Sequence, residues 1–311
     1  MNLKPVISLS ILVFIVLGSS CNSNANDLHS DLKSNSMKKH YSGFLLATDF
    51  TIGVNRFPFA VLSADGLSLK APEIKARFFA ANDGQLEFLQ ESIAKQLTIS
   101  NTTSHQHLDG TIHLHQNNRI FYVIDSIVFD YPGITVAEFS SGDEVQSPVS
   151  IQSLAFEISA RSKAPQVGDR IPPWIMSIPE TPSEGVKLQA LESPLNQVTL
   201  DEAAHSSKPF VIVFSSPMFC TSQMCGPVLD IVSTVSKQFN TELDFLHIEP
   251  YDLTIAQTEG RLVRTGIFDE WELPSEPWVF IIDSDNRIVD RYEGLFTQKE
   301  LEASILNLIA S

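Results

Sequence analysis

The sequence predicts two folded domains of different class, an all-β N-terminal domain over 43–161 and an α/β C-terminal domain over 162–311. Three observations carry that prediction. Short β-branched and aromatic runs separated by turn residues fill the first span. A proline-rich stretch over 162–185 divides it from the second, and its composition reads as extended chain. Beyond it, the apolar pattern alternates between that of buried strands and that of helices, in the order β-α-β-α-β-β-α. The chain has 311 residues, 43% of them hydrophobic and 19% charged, enough apolar surface for two cores. With 37 acidic against 21 basic residues the net charge is −16. No Lys/Arg cluster offsets it, so nucleic acid is excluded as a partner.

The first twenty residues read as a signal segment. Lys4 supplies a positive charge, and the run 6–17 is apolar apart from two serines. It is shorter than the roughly 20 residues a transmembrane helix needs, and it suits a signal core. Gly18, Ser19 and Ser20 follow, and then Cys21. Small residues directly before a cysteine resemble the bacterial lipobox, although Gly18 stands where that motif usually has Leu. The resemblance implies lipidation of Cys21 after cleavage of 1–20. A cleaved, secreted chain with an incidental cysteine is the alternative. The Asn- and Ser-rich segment 21–42 lacks the apolar residues to fold and reads as a tether to the membrane.

In the N-terminal domain, strands are expected at 59–62, 74–79, 120–129 and 134–139. Turn signals stand at Asp65-Gly66, Asp83-Gly84, Asp109-Gly110 and Pro132-Gly133. A short helix is expected at 87–94. Short strands with turns between them point to an antiparallel β-sandwich of immunoglobulin-like type. In the C-terminal domain, the run 209–215 (PFVIVFS) suits a buried central strand. The spacing of Val228, Leu229, Ile231, Val232, Val235 and Phe239 predicts a helix over 227–239. A strand is expected at 243–248, a helix at 255–264, and a hairpin at 278–283 and 287–292 around Ser284-Asp285-Asn286. Thr297 with Glu300 three residues on forms a capping box for a last helix.

That element order, with FVIVFSSPMFCTSQMCGPVLDIV (210–232) and EPWVFIIDSDNRIVDRYEGLFTQKELEASILNLI (276–309), resembles the thioredoxin-like proteins, in particular an exported bacterial subgroup. APQVGDRIPPW (164–174) looks like the lead-in of such domains. GVNRFPFAVLSADG (53–66) and IVFDYPGITVAEF (127–139) look like β-sandwich modules that precede them. The resemblance implies that Pro277 is the family's cis-proline, shaping a substrate groove. It also implies an acid buried in the first strand for proton transfer. That strand carries none here.

Besides Cys21, the chain has Cys220 and Cys225. Outside the cytoplasm such a pair bonds to itself or to another molecule. Pro227 suits the first position of a helix, which leaves 220–225 as a loop able to close on itself and sets Cys225 at a helix N-terminus. There the helix dipole favours a thiolate. The spacing is C-x4-C rather than the family's C-x2-C, and Val228 stands where the family's second cysteine falls. Three roles follow: thiol–disulfide exchange with extracytoplasmic proteins, metal handling, or a passive staple in a binding module.

His105, His107, His113 and His115 flank the Asp109-Gly110 turn, and on a hairpin two pairs of imidazoles would converge, suiting copper or zinc. A solvated loop explains them equally simply. His247, within a strand, reads as a hydrogen-bonded core or rim residue. Sco-type copper chaperones, with two cysteines and a distant histidine on a thioredoxin fold, are the alternative resemblance. The sequence thus predicts a lipid-anchored thioredoxin-like protein on the extracytoplasmic face of a bacterial membrane, with no required cofactor and with Cys220, Cys225 and Pro277 at its site.

Overall fold

The computed structural model describes residues 40–106, 112–141, 149–172, 195–220 and 222–310, and side chains within 101–117 are not described. The described residues belong to one compact unit, Lys38–Ser311. Cys21, the leader and most of the tether lie outside them. No helix among the described residues is long and apolar enough to cross a membrane.

The N-terminal lobe is built from strands β1 (His40–Leu45), β2 (Gly53–Ser63), β3 (Glu73–Asn82), β4 (Gln85–Gln106), β5 (Ile112–Phe129), β6 (Gly133–Ser141), β7 (Ser150–Gln152) and β8 (Leu154–Ile158). In β3 the period is two: Ile74, Ala76 and Phe78 are buried while Glu73, Lys75 and Arg77 face solvent. Asp83 (φ 47°) and Gly84 (φ 77°) make the tight β3–β4 turn in the left-handed region that Asp-Gly favours.

The immunoglobulin-like expectation of two stacked sheets is corrected. The strands form one sheet, in the order β7-β1-β2-β5-β4-β3-β6-β8. Its two edge strands, β7 and β8, are separated by Ser153 alone, so the sheet must curl until its edges meet. The Ser159 amide donates to the Phe50 carbonyl at 2.9 Å and the Ile52 amide to the Ser159 carbonyl at 3.1 Å, tying the ends together. Phe50, Phe57, Phe59, Phe78, Phe129 and Phe156 fill the enclosed core. Phe57 packs against Phe78 edge to face at 5.2 Å. Turn spacing alone does not separate a sandwich from a barrel-like closure, because closure depends on pairing between segments remote in sequence.

The helix expected at 87–94 is also corrected. These residues lie in β4 and pair with β3 in a register that sets Phe78 opposite Gln90 and Ile74 opposite Ala94. Ladder pairing and complete burial of Ala94 override local helix propensity.

The C-terminal lobe contains α1 (Leu200–His205), β9 (Phe210–Phe214), α2 (Cys225–Phe239), β10 (Asp244–Ile248), α3 (Leu253–Glu259), α4 (Gly266–Glu270), β11 (Trp278–Ile282), β12 (Ile288–Glu293) and α5 (Gln298–Ala310). Strand order is β10-β9-β11-β12, with β10 parallel to β9 and β11 antiparallel to both its neighbours. The arrangement is thioredoxin-like, as the resemblance implied, with α1 and α4 added. The helix expected at 255–264 is shorter. Gly260 caps α3 in the left-handed conformation (φ 66°), after which Arg264 bridges back to Tyr251.

Alternation along β9 sends its side chains to two cores. Phe210, Ile212 and Phe214 pack with Phe280, Trp271 and Phe268 on one side. Val211 and Val213 pack with Val228 and Val232 of α2 and with Leu301 and Ile305 of α5 on the other. That second core also takes in Ile99, Phe121 and Val123 from β4 and β5, so the two lobes share apolar packing. Polar contacts reinforce the junction. Buried Glu293 accepts from Thr48 Oγ1 (2.7 Å), the Asp49 amide (2.9 Å) and Ser275 Oγ (2.6 Å). Gly294 follows at φ 69°, where a Cβ would fall 1.7 Å from the Leu46 carbonyl oxygen. No other residue allows so close an approach of two backbones.

Candidate functional site

The carboxyl ends of parallel β9 and β10 open toward the N-terminus of α2, the place where α/β sheets leave room for chemistry. After Phe214, the loop passes Ser215 and Ser216, both fully buried, and reaches Cys220. Gln223 takes a left-handed turn (φ 58°) just before the helix. The helix starts at Cys225, two residues earlier than Pro227 suggested. Proline is tolerated inside the first turn because the amide it lacks has no intrahelical acceptor there. The first i→i−4 bond runs from Val228 to the Met224 carbonyl at 3.1 Å.

Cys220 and Cys225 are joined as a disulfide with Cα atoms 6.1 Å apart, inside the usual bridging range. The two sulfurs differ in surroundings. Cys225 is fully buried, whereas Cys220 is partly exposed. The Cys225 amide donates toward Cys220 Sγ at 3.4 Å, and Ser222 Oγ lies 3.1 Å from the same sulfur. A thiolate on Cys220 would therefore meet two hydrogen-bond donors at a helix N-terminus. Met218, 52% exposed, stands two residues from this sulfur.

From the opposite side comes the segment leading into β11. The Glu276–Pro277 peptide is cis. A Glu276 carboxylate oxygen and the two sulfurs all lie within 4.8 Å of one another. Tyr251, just after β10, donates its hydroxyl to Glu276 Oε2 at 2.8 Å. Burial, followed by the hydrogen bond to Glu276, pushes the Tyr251 hydroxyl well above its usual range. Burial likewise pushes Glu249 up to about 7, and the charge of Glu276 adds to the rise. Ser216 lies close enough to oppose that rise, yet neither its hydroxyl nor Glu249 Oε1 completes a hydrogen bond.

His247 is the rim histidine expected of it. Its Nε2 donates to the Ser215 carbonyl at 2.6 Å, burial lowers its pKa, and Ser215 Oγ in turn donates to the Cys225 carbonyl at 3.0 Å. Among the described residues no histidine joins the cysteines, so they do not assemble the two-cysteine, one-histidine set of a Sco-type protein. His105 and His113 are register partners across β4 and β5, and His115 lies opposite Thr103. Their side chains, and all of His107, lie outside what is described.

Sequence reasoning missed Glu276, Tyr251 and Glu249. Two signals were present: an acid directly before the cis-proline position, and the segment Glu249-Pro250-Tyr251 at the carboxyl end of a buried strand. Both gain meaning only when β10 and β11 flank β9.

No family model matches the chain, and no curated protein matches it. Among solved structures it is similar to the C-terminal domain of a protein described as a thiol-disulfide oxidoreductase from Bacteroides thetaiotaomicron. The identity is 14%, covering 36% of this chain and 84% of that one, with a TM-score of 0.27. A likeness of that size carries no argument about activity. What stands is a thioredoxin-like domain with a bonded cysteine pair at the start of its first long helix.

Proposed function

We propose that the protein exchanges disulfides with extracytoplasmic proteins while anchored to a bacterial membrane through lipid on Cys21. The observation that carries the exchange reading is the asymmetry of the pair, one sulfur reachable and one buried at a helix N-terminus. In that mechanism the Cys220 thiolate attacks a partner disulfide, forming a mixed disulfide and expelling one partner thiolate. Cys225 then attacks Cys220 Sγ, the Cys220–Cys225 bond forms, and the second partner sulfur leaves. Pro277 lines the groove that receives the partner, and exposed Met218 gives it an adaptable apolar contact. Support for the anchor comes from the apolar run and small residues before Cys21. The shared apolar packing of Ile99, Phe121 and Val123 supports a role for the β lobe in orienting the site.

Cys225→Ser removes the resolving sulfur. Expressed in cells, it is expected to accumulate mixed disulfides through Cys220 that disappear on reduction and are absent from the Cys220→Ser, Cys225→Ser double variant. Absence of such adducts, together with a melting temperature lowered in each single variant, would mean that the bridge is a passive staple.

A further inference from the structure

A thiol–disulfide exchange site must move a proton as well as electrons. Cys225 is fully buried, so bulk water does not reach its sulfur to take the proton that must leave before it attacks. The strand beneath it offers no help, since β9 is Phe210–Phe214 with every side chain buried and apolar. We propose that Glu276 is the proton-transfer residue of the pair, accepting the proton of the Cys225 thiol when that sulfur attacks and returning it when that sulfur leaves. This rests on the exchange reading above.

The Glu276 carboxylate lies within 4.8 Å of both sulfurs, a gap that one water or a small rotation of the side chain closes. The Tyr251 hydroxyl holds one of its oxygens at 2.8 Å and so fixes its direction. Behind Tyr251 sits Glu249, with Oε1 lacking any hydrogen-bond partner and the buried Ser216 hydroxyl equally unpartnered. Burial, with a smaller contribution from the charge of Glu276, raises the Glu249 carboxyl to about 7, so Glu249 holds a proton up to near neutral pH. The charged and titratable groups facing Glu276 are Tyr251 and Glu249 from the segment after β10 and the two cysteines from the α2 side. Arg264, from the segment after α3, acts on Tyr251.

In the mixed disulfide, Cys225 S–H passes its proton to the Glu276 carboxylate, and the thiolate attacks Cys220 Sγ. The Cys220–Cys225 bond forms as the bond from Cys220 to the partner sulfur breaks. The partner leaves as a thiolate and is protonated by the Glu276 carboxylic acid or by water. Over both steps the cysteine pair loses two electrons and the partner disulfide gains them. Run in reverse, a partner thiolate attacks Cys220 Sγ, and Cys225 departs as a thiolate that takes its proton from Glu276.

The test uses the full chain carrying Cys21→Ser, reduced and mixed with equimolar dithionitrobenzoate in a stopped-flow instrument. The first thionitrobenzoate released reports attack by Cys220, and the second reports displacement by Cys225. Glu276→Gln is expected to leave the first release within about twofold and to slow the second about tenfold or more near neutral pH. The deficit should close in alkaline buffer, where the thiol ionises unaided, and Glu276→Asp should restore most of the rate. A second release that is unchanged, or slowed equally at every pH, would overturn the proposal. Should Glu276→Gln fail to fold, Tyr251→Phe carries the test: a displaced pH midpoint of the second release supports the relay, and an unmoved one overturns it. If the parent chain releases no thionitrobenzoate, the exchange reading falls and the relay falls with it.

Discussion

The two lobes differ in what surrounds their unpartnered buried polar atoms. In the N-terminal lobe the interior is phenylalanine, and the buried side-chain atom without a partner among the described residues is Arg119 Nε, on β5. Tyr122 there donates to the Leu69 carbonyl at 2.8 Å and accepts from the Ala71 amide at 3.1 Å. Asn55 likewise bonds to Thr51 and Gly53. In the C-terminal lobe, Ser216 Oγ and Glu249 Oε1 are buried without partners, and Glu249 feels the charge of Glu276, which is bonded to Tyr251 and lies within 4.8 Å of the disulfide. A fold maximising stability alone would pair or remove such groups, because each costs about 1–3 kcal/mol. Arg119 Nε, Trp271 Nε1 and Trp278 Nε1 are also buried without partners, so it is the company Ser216 Oγ and Glu249 Oε1 keep, a second acid, a tyrosine and a nearby disulfide, that marks the carboxyl ends of β9 and β10 for chemistry.

Damage to the β lobe should cost the most stability. Phe57→Ala removes a fully buried ring that touches four other aromatic rings, and should cost about 3–5 kcal/mol in denaturant unfolding. The reduction potential of the pair should not move in the folded variant. A shifted potential would mean that the lobes are not separable in this way.

A smaller effect is expected in the C-terminal lobe. Glu249 holds its proton more tightly folded than unfolded, with a pKa of about 7 against 4.5. The resulting stabilisation is fully present below pH 4.5 and is lost as pH rises through about 7. Discounted for partial solvent exposure, the loss amounts to about 1–2 kcal/mol. Unfolding titrations across that range should show the slope in the parent chain and not in Glu249→Gln. Equal slopes would locate the unsatisfied polar group elsewhere.

Much of this was legible in the sequence, for identifiable reasons. Thr297 and Glu300 announced the cap of α5, where the Glu300 amide donates to Thr297 Oγ1 at 3.3 Å and the Thr297 amide donates back to Glu300 at 2.7 Å. The apolar run of β9 and the helical spacing after Cys225 located the α/β core and the cysteine pair. These are local signals, set by period and by capping chemistry. Long-range pairing was not legible. Closure of the β lobe depends on β7 and β8 meeting across Ser153, and the strand character of 87–94 depends on its ladder with β3. The acids of the site were missed for the same reason, since Glu276 reaches the cysteines only after β11 has paired with β9. Sequence spacing placed the two sulfurs together, but only topology brings the carboxylate to them.

The central claim is that the Cys220–Cys225 bridge is made to be exchanged. Its reduction potential, read from the fraction oxidised in graded thiol buffers, tests that most directly. A value above roughly −250 mV, among exchange-active disulfides, is expected. A value below about −300 mV would identify a structural bridge and contradict it.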